Sequence, residues 1–125
     1  MKQVVSTKKA PAAVGPYSQA VWAGEFLYCS GQLGLIPETG RLAEGGVAAQ
    51  AEQALANVGA ILESQGLSPA NVVKVLLFLT DMADFKTVNE TYGKVFDCEP
   101  PARSCVAVKD LPLGGVVEIE VIARK

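Results

Sequence analysis

Apolar and polar positions are spaced differently in successive stretches of this chain, and each spacing predicts its own element. Across residues 47–65 the apolar positions Val47, Ala51, Ala54, Leu55, Val58, Ile61 and Leu62 recur at steps of three and four, which paints one stripe on a helix. Gly66 can supply the left-handed residue that ends it. Residues 72–80 are apolar on both alternating faces except at Lys74, the mark of a central strand covered above and below. A second helix is expected over 82–97, with Asp81 and Asp84 as candidate caps, a stripe of Phe85, Val88, Tyr92, Val95 and Phe96, and Pro100-Pro101 to stop it.

The first forty residues read as short strands over 2–6, 20–23 and 26–32, with turns at Ala23-Gly24-Glu25 and Pro37-Glu38-Thr39-Gly40. Two last strands, 103–109 and 116–124, are separated by a stretch long enough to turn the chain but too short for another crossover helix. The sum is an α+β sandwich, a six-stranded mixed sheet with two helices packed on one face. Since the central strand is apolar on both sides, the bare face needs a partner. A homo-oligomer closed by symmetry is expected, with clefts between subunits as natural pockets.

Composition sharpens this picture. Half of the 125 residues are apolar and the formal net charge is −2, which fits one compact domain over 1–125 and disfavours long disordered tails. There is no histidine, so Ser-His-Asp and Cys-His catalysis and His-ligated zinc are excluded. Cys29, Cys98 and Cys105 are odd in number and never spaced as CxxC, which argues against a disulfide framework or a zinc site. Reduced thiols in a cytoplasmic protein are expected. The start, MKQVVSTKKAPAA, lacks the apolar stretch of a secretory signal. The most apolar run is less than half of the roughly 20 residues that span a bilayer. An acidic balance without a basic stripe disfavours nucleic acid.

Acid–base chemistry therefore falls to carboxylates, Tyr, Cys, Lys or water. Alternation puts Arg103 and Cys105 on one side of their strand, and Glu118 and Glu120 on one face of theirs. With the two strands adjacent in the sheet, as expected, the plain outcome is a cross-strand ion pair or a solvated face. The functional alternative is an Arg fork that binds a carboxylate in bidentate fashion, beside a partly desolvated Glu able to exchange protons with water. Periodicity does not separate Glu118 from Glu120. Cys105 near a guanidinium admits a thiolate, though a small buried hydrophobe is the simpler reading. Tyr17 follows the turn dipeptide Gly15-Pro16, and Ser30-Gly31 ends a strand or bulges it. Asn89 falls between the stripe positions Val88 and Tyr92 of the second helix and would ordinarily be a solvated or locally bonded polar residue.

The combination of Ala10-Pro-Ala-Ala-Val-Gly-Pro-Tyr-Ser-Gln-Ala20, Ser30-Gly-Gln32, Pro37-Glu-Thr-Gly40, Asp84-Phe-Lys-Thr-Val-Asn89, Pro101-Ala-Arg-Ser-Cys105 and Val117-Glu-Ile-Glu-Val-Ile-Ala123 resembles the reactive intermediate/imine deaminase (Rid, YjgF) family over nearly the whole chain. The resemblance implies a chorismate-mutase-like α+β fold assembled as a homotrimer, with sites in the intersubunit clefts. It implies hydrolysis of 2-enamino and 2-imino acids, such as 2-iminobutanoate and 2-iminopropanoate, to 2-keto acids and ammonia, with no cofactor and no metal.

By motif match, Arg103 would grip the substrate carboxylate, Glu118 would act through the attacking water, and the Cys105 main chain would help to hold substrate or water. Tyr17, Ser30, Gly31 and Asn89 would line the pocket, Tyr17 from across a subunit boundary. Relatives described as endoribonucleases and translation inhibitors supply one alternative, action on single-stranded RNA; a noncatalytic 2-keto acid-binding regulator is another. Gly45-Gly46 stand where members often carry an acidic cap, which predicts a looser start to the first helix.

Overall fold

The protein is described here by a computed structural model covering residues 1–125. Seven strands and two helices follow in the order β1 (Gln3–Val5), β2 (Ala20–Ala23), β3 (Phe26–Cys29), β4 (Gln32–Leu33), α1 (Gly46–Ser64), β5 (Val72–Leu79), α2 (Phe85–Val95), β6 (Ala102–Ala107) and β7 (Val117–Arg124). The strands form one sheet in the order β1-β2-β3-β7-β5-β6, with β4 also paired to β7. Every pairing is antiparallel except β5 with β6, which α2 connects as a crossover.

Both helices pack on one face of the sheet, as the two apolar stripes require. Leu27, Val75, Leu77, Leu79, Val117, Ile119 and Val121 are at most 1% exposed and meet Ala51, Ala54, Val58, Ile61 and Leu62 of α1 and Val88 of α2. The start of α1 is uncapped: Gly45 has φ 118° and no side chain closes the first turn. Its end closes as expected, with Gly66 at φ 72° and the Leu67 N–H donating to the Leu62 carbonyl. The second helix is shorter than its pattern predicts, because 82–84 form a 3₁₀ turn and the α-helix stops at Val95, before the prolines. Asp81 caps that turn by accepting from the Ala83 N–H, whereas the Asp84 side chain makes no cap bond.

The strand expected over 26–32 is broken in two. Between Tyr28, opposite Ile122, and Gln32, opposite Ile119, the chain takes four steps against three on β7. Ser30-Gly31 therefore form a bulge that holds one extra residue.

The other sheet face is uncovered. Leu76, Phe78 and Ile122 are half-buried there and Val4, Tyr28 and Val106 are exposed, the apolar remainder that the alternation of β5 predicts.

Candidate active site

The sequence-predicted residues gather into two clusters rather than one. Arg103 pairs with Val75 in the parallel β5–β6 ladder, and Val75 points to the helices, so Arg103 and Cys105 share the covered side. There the guanidinium lies over the Tyr92 ring, 4.6 Å from its centroid, and 5.6 Å from that of Phe85. Its Nη1 donates to Asn89 Oδ1 at 2.8 Å. No carboxylate neutralises it; the chain's one ion pair is Arg124 with Glu25. Phe85, Asn89 and Tyr92 are spaced by four and three on α2, so one helix face presents all three to the same cation.

β6 is an edge strand. The Val108 N–H donates to the Leu79 carbonyl at 2.7 Å, so by alternation along the ladder the N–H groups of Arg103 and Cys105 face the free edge. A carboxylate arriving at that edge would meet a planar guanidinium and a main-chain donor together. The Cys105 thiol is half-buried; burial raises its pKa and Arg103 offsets this only in part. Burial and then Glu120 push Cys29 up to about 12. Neither sulfur has thiolate character in this chain.

Glu118 lies elsewhere. It pairs with Phe78, on the open side of the sheet, and β5 stands between its strand and β6. The expectation that Arg103 and this carboxyl sit on adjacent strands is thus corrected: they occupy opposite faces with a strand between them, and no cross-strand pair can form. Glu118 lines a cleft of about 550 Å³ with Tyr17, Ser30, Gly31, Glu120 and Leu113, and Arg103, Asn89 and Cys105 are not among its walls. Burial, and then the neighbouring charge of Glu120, hold the Glu118 carboxyl above the usual carboxylate range.

The bulge makes this cluster possible. A β-carbon at Gly31 would stand 2.6 Å from Glu118 Oε1, so only glycine leaves the carboxyl its place. The Ser30 hydroxyl donates to the Ser18 carbonyl at 2.6 Å and its N–H to Gln19 O at 2.9 Å, which ties the bulge to the segment bearing Tyr17. Gln19 is buried and holds that segment from within: Nε2 donates to Thr7 O and Pro11 O, and Oε1 accepts from the Thr7 N–H. From α1, Asn57 donates to Leu33 O and Leu35 O, and Gln50 accepts from the Val116 N–H. These buried amides fix β4 and the approach to β7 on either side of Glu118.

Sequence reasoning missed Phe85 and Tyr92 as site residues, having assigned them to the helix stripe. The available signal was their spacing from Asn89. It also missed Gln19 and Asn57, whose partners are main-chain groups that no motif displays.

By fold and by the residue types in its two clusters, the molecule is an α+β protein that presents an unneutralised guanidinium at a sheet edge and a desolvated carboxyl at a bulge. It belongs to the family described as Endoribonuclease L-PSP, whose model matches residues 7–125. The chain is 54% identical over 122 residues to Reactive Intermediate Deaminase A, chloroplastic, of Arabidopsis thaliana, covering 98% of this chain and 65% of that protein. It is 51% identical over 123 residues to the 2-iminobutanoate/2-iminopropanoate deaminase of Bos taurus, covering 98% and 90%. Among solved structures, RidA from an Antarctic Psychrobacter superposes with a TM-score of 0.94 at 51% identity, over 98% of this chain and 99% of that one. Escherichia coli TdcF with bound serine gives 0.94 at 41% identity, over 98% of each chain. The resemblance to the Rid family carried by the motifs is borne out.

Proposed function

We propose that this chain is a 2-iminobutanoate/2-iminopropanoate deaminase, one domain over 1–125, acting in the cytoplasm as a homotrimer whose sites are shared between subunits. The observation that carries this reading is the division of the constellation into complementary halves. The edge of β6 offers a stacked cation without a counter-ion, and the bulge between β3 and β4 offers a desolvated carboxyl. Each lacks what the other has. Packing the open sheet face of one copy on another would cover its apolar residues and can bring one copy's Arg103 to the next copy's Glu118. The matching motifs, relatives named for this reaction and a solved neighbour holding an amino acid support the substrate class. Three unpaired cysteines suit a reducing compartment.

In the proposed reaction, Arg103 and the Cys105 N–H bind the carboxylate of the 2-imino acid, and Asn89 steadies the guanidinium. Tyr17, Ser30 and Gly31 shape the wall of the neighbouring half. Ionised Glu118 accepts a proton from a water whose oxygen bonds to the iminium carbon. Glu118 returns the proton to the nitrogen of the resulting amino alcohol, the C–N bond breaks to release ammonia, and the hydroxyl proton passes to the re-ionised Glu118 and on to solvent as the 2-keto acid carbonyl forms. An iminium carbon is already electrophilic, so positioning and proton transfer suffice.

The test supplies imine from a threonine dehydratase and follows its disappearance by semicarbazide trapping. Arg103→Lys and Glu118→Gln are each expected to lower kcat/KM by about 10² to 10⁴. Unchanged turnover in Arg103→Lys would remove the guanidinium from its role. The family description favours RNA cleavage as a second reading. A cleavage that copurifies with the protein and vanishes in Arg103→Ala would establish it.

A further inference from the structure

Arg103 is held by its faces rather than by a counter-charge, and that places demands on what lies beneath it. Of its five N–H donors, one is committed to Asn89, and none meets a carboxylate of the chain. The ring of Tyr92 underlies the guanidinium at 4.6 Å. That ring is fixed by Phe96, with centroids 4.6 Å apart and a tilt of 41°. Tyr92 is 6% exposed, and its hydroxyl is the one buried side-chain polar atom without a hydrogen-bond partner. A phenylalanine would stack as well without leaving a buried oxygen unpaired, which native structures avoid. Burial pushes the pKa of that hydroxyl up, and Arg103, close to it but outside hydrogen-bond geometry, offsets this in part.

We infer that Tyr92 is a positioning residue for Arg103, its ring setting the plane of the guanidinium and its hydroxyl accepting an Arg103 N–H once a ligand carboxylate engages the outer edge. With Asn89 and Tyr92 as acceptors on the inner edge, the outer donors form a two-pronged carboxylate site. This rests on the proposed reading of Arg103 as the carboxylate-binding group.

The experiment is a double-mutant cycle on Arg103→Lys with Tyr92→Phe and Tyr92→Leu, reading kcat and KM for the imine and calorimetric affinity for 2-oxobutanoate. Thermal unfolding of each variant checks that it folds. Tyr92→Phe keeps the ring and is expected to raise KM and the 2-oxobutanoate Kd about tenfold with kcat within twofold. Tyr92→Leu should raise both further, by about 2- to 30-fold beyond the phenylalanine variant. In the Arg103→Lys background neither substitution should cost more, because an effect exerted through the guanidinium disappears with it. Losses that multiply across the cycle, or a Tyr92→Phe variant equal to wild type in KM and Kd, would overturn the inference. A wild-type protein that binds 2-oxobutanoate without hydrolysing imine would sink the deaminase reading while the cycle still decides the role of Tyr92; one that does neither would overturn both.

Discussion

A methyl group at residue 31 is the smallest change that reaches the chemistry. Gly31 has no positive φ, so its requirement is space: a β-carbon there would lie within 2.7 Å of both Glu118 Oε1 and Cδ. Gly31→Ala is therefore expected to swing the carboxyl out of its place and to lower imine turnover at least tenfold. Its thermal midpoint should change little, because the displaced group is a side-chain end rather than main chain. Activity near wild type would show that Glu118 need not stand where it does. The carboxyl also imposes a pH dependence. Its pKa is raised in the fold, so between 4.5 and the folded value the native state binds more protons than the unfolded chain, and stability falls as pH rises through that window. Activity should move the opposite way, since in the proposed reaction Glu118 must be ionised to accept the proton. Glu118→Gln is expected to flatten the stability slope. Equilibrium unfolding at several pH values, alongside kcat/KM, checks both signs.

Elements carry these residues to their places through buried amides. Asn57, 1% exposed on α1, donates to two carbonyls of the β4 segment and accepts from Gln53. Asn57→Ala leaves both carbonyls unpaired, a cost of about 1–3 kcal/mol, read as a lower denaturant midpoint with unchanged slope; an unshifted midpoint would mean that water replaces the amide. Such links show what the sequence could disclose. The α1 stripe and the alternation of β5 and β7 are local patterns, and they predicted elements, sides and the uncovered face correctly. The break at Ser30-Gly31 is not local: apolar character continues through 26–32, and only the register against β7 reveals the extra residue. Likewise alternation gave the sides of Arg103 and Glu118 within their own strands. It could not show that β7 pairs with β5 on the side away from β6, which sets a strand between the two groups, nor the registers, Val75 with Arg103 and Phe78 with Glu118, that put them on opposite faces. Tyr92 looked like any core aromatic because the stripe explained it fully.

At the scale of the whole molecule, that opposition becomes the strongest test of the proposed assembly. A site made within one chain and a site made between chains respond differently to mixing. Arg103→Ala and Glu118→Gln should each be inactive alone, since every cleft in either homo-oligomer lacks one half. Coexpressed with different tags, the two variants would form mixed trimers in which some clefts join the intact Arg103 of one chain to the intact Glu118 of the next. With equal, random mixing, about a quarter of clefts are complete, so turnover per site should recover to about a quarter of wild type. Recovery should scale with the fraction of doubly tagged oligomer and vanish when the variants are purified separately and combined without exchange. No recovery in purified mixed oligomers would mean that both groups serve one chain's own pocket. That outcome would require β5 to move aside, because in the fold as it stands the strand and its row of core side chains lie between them.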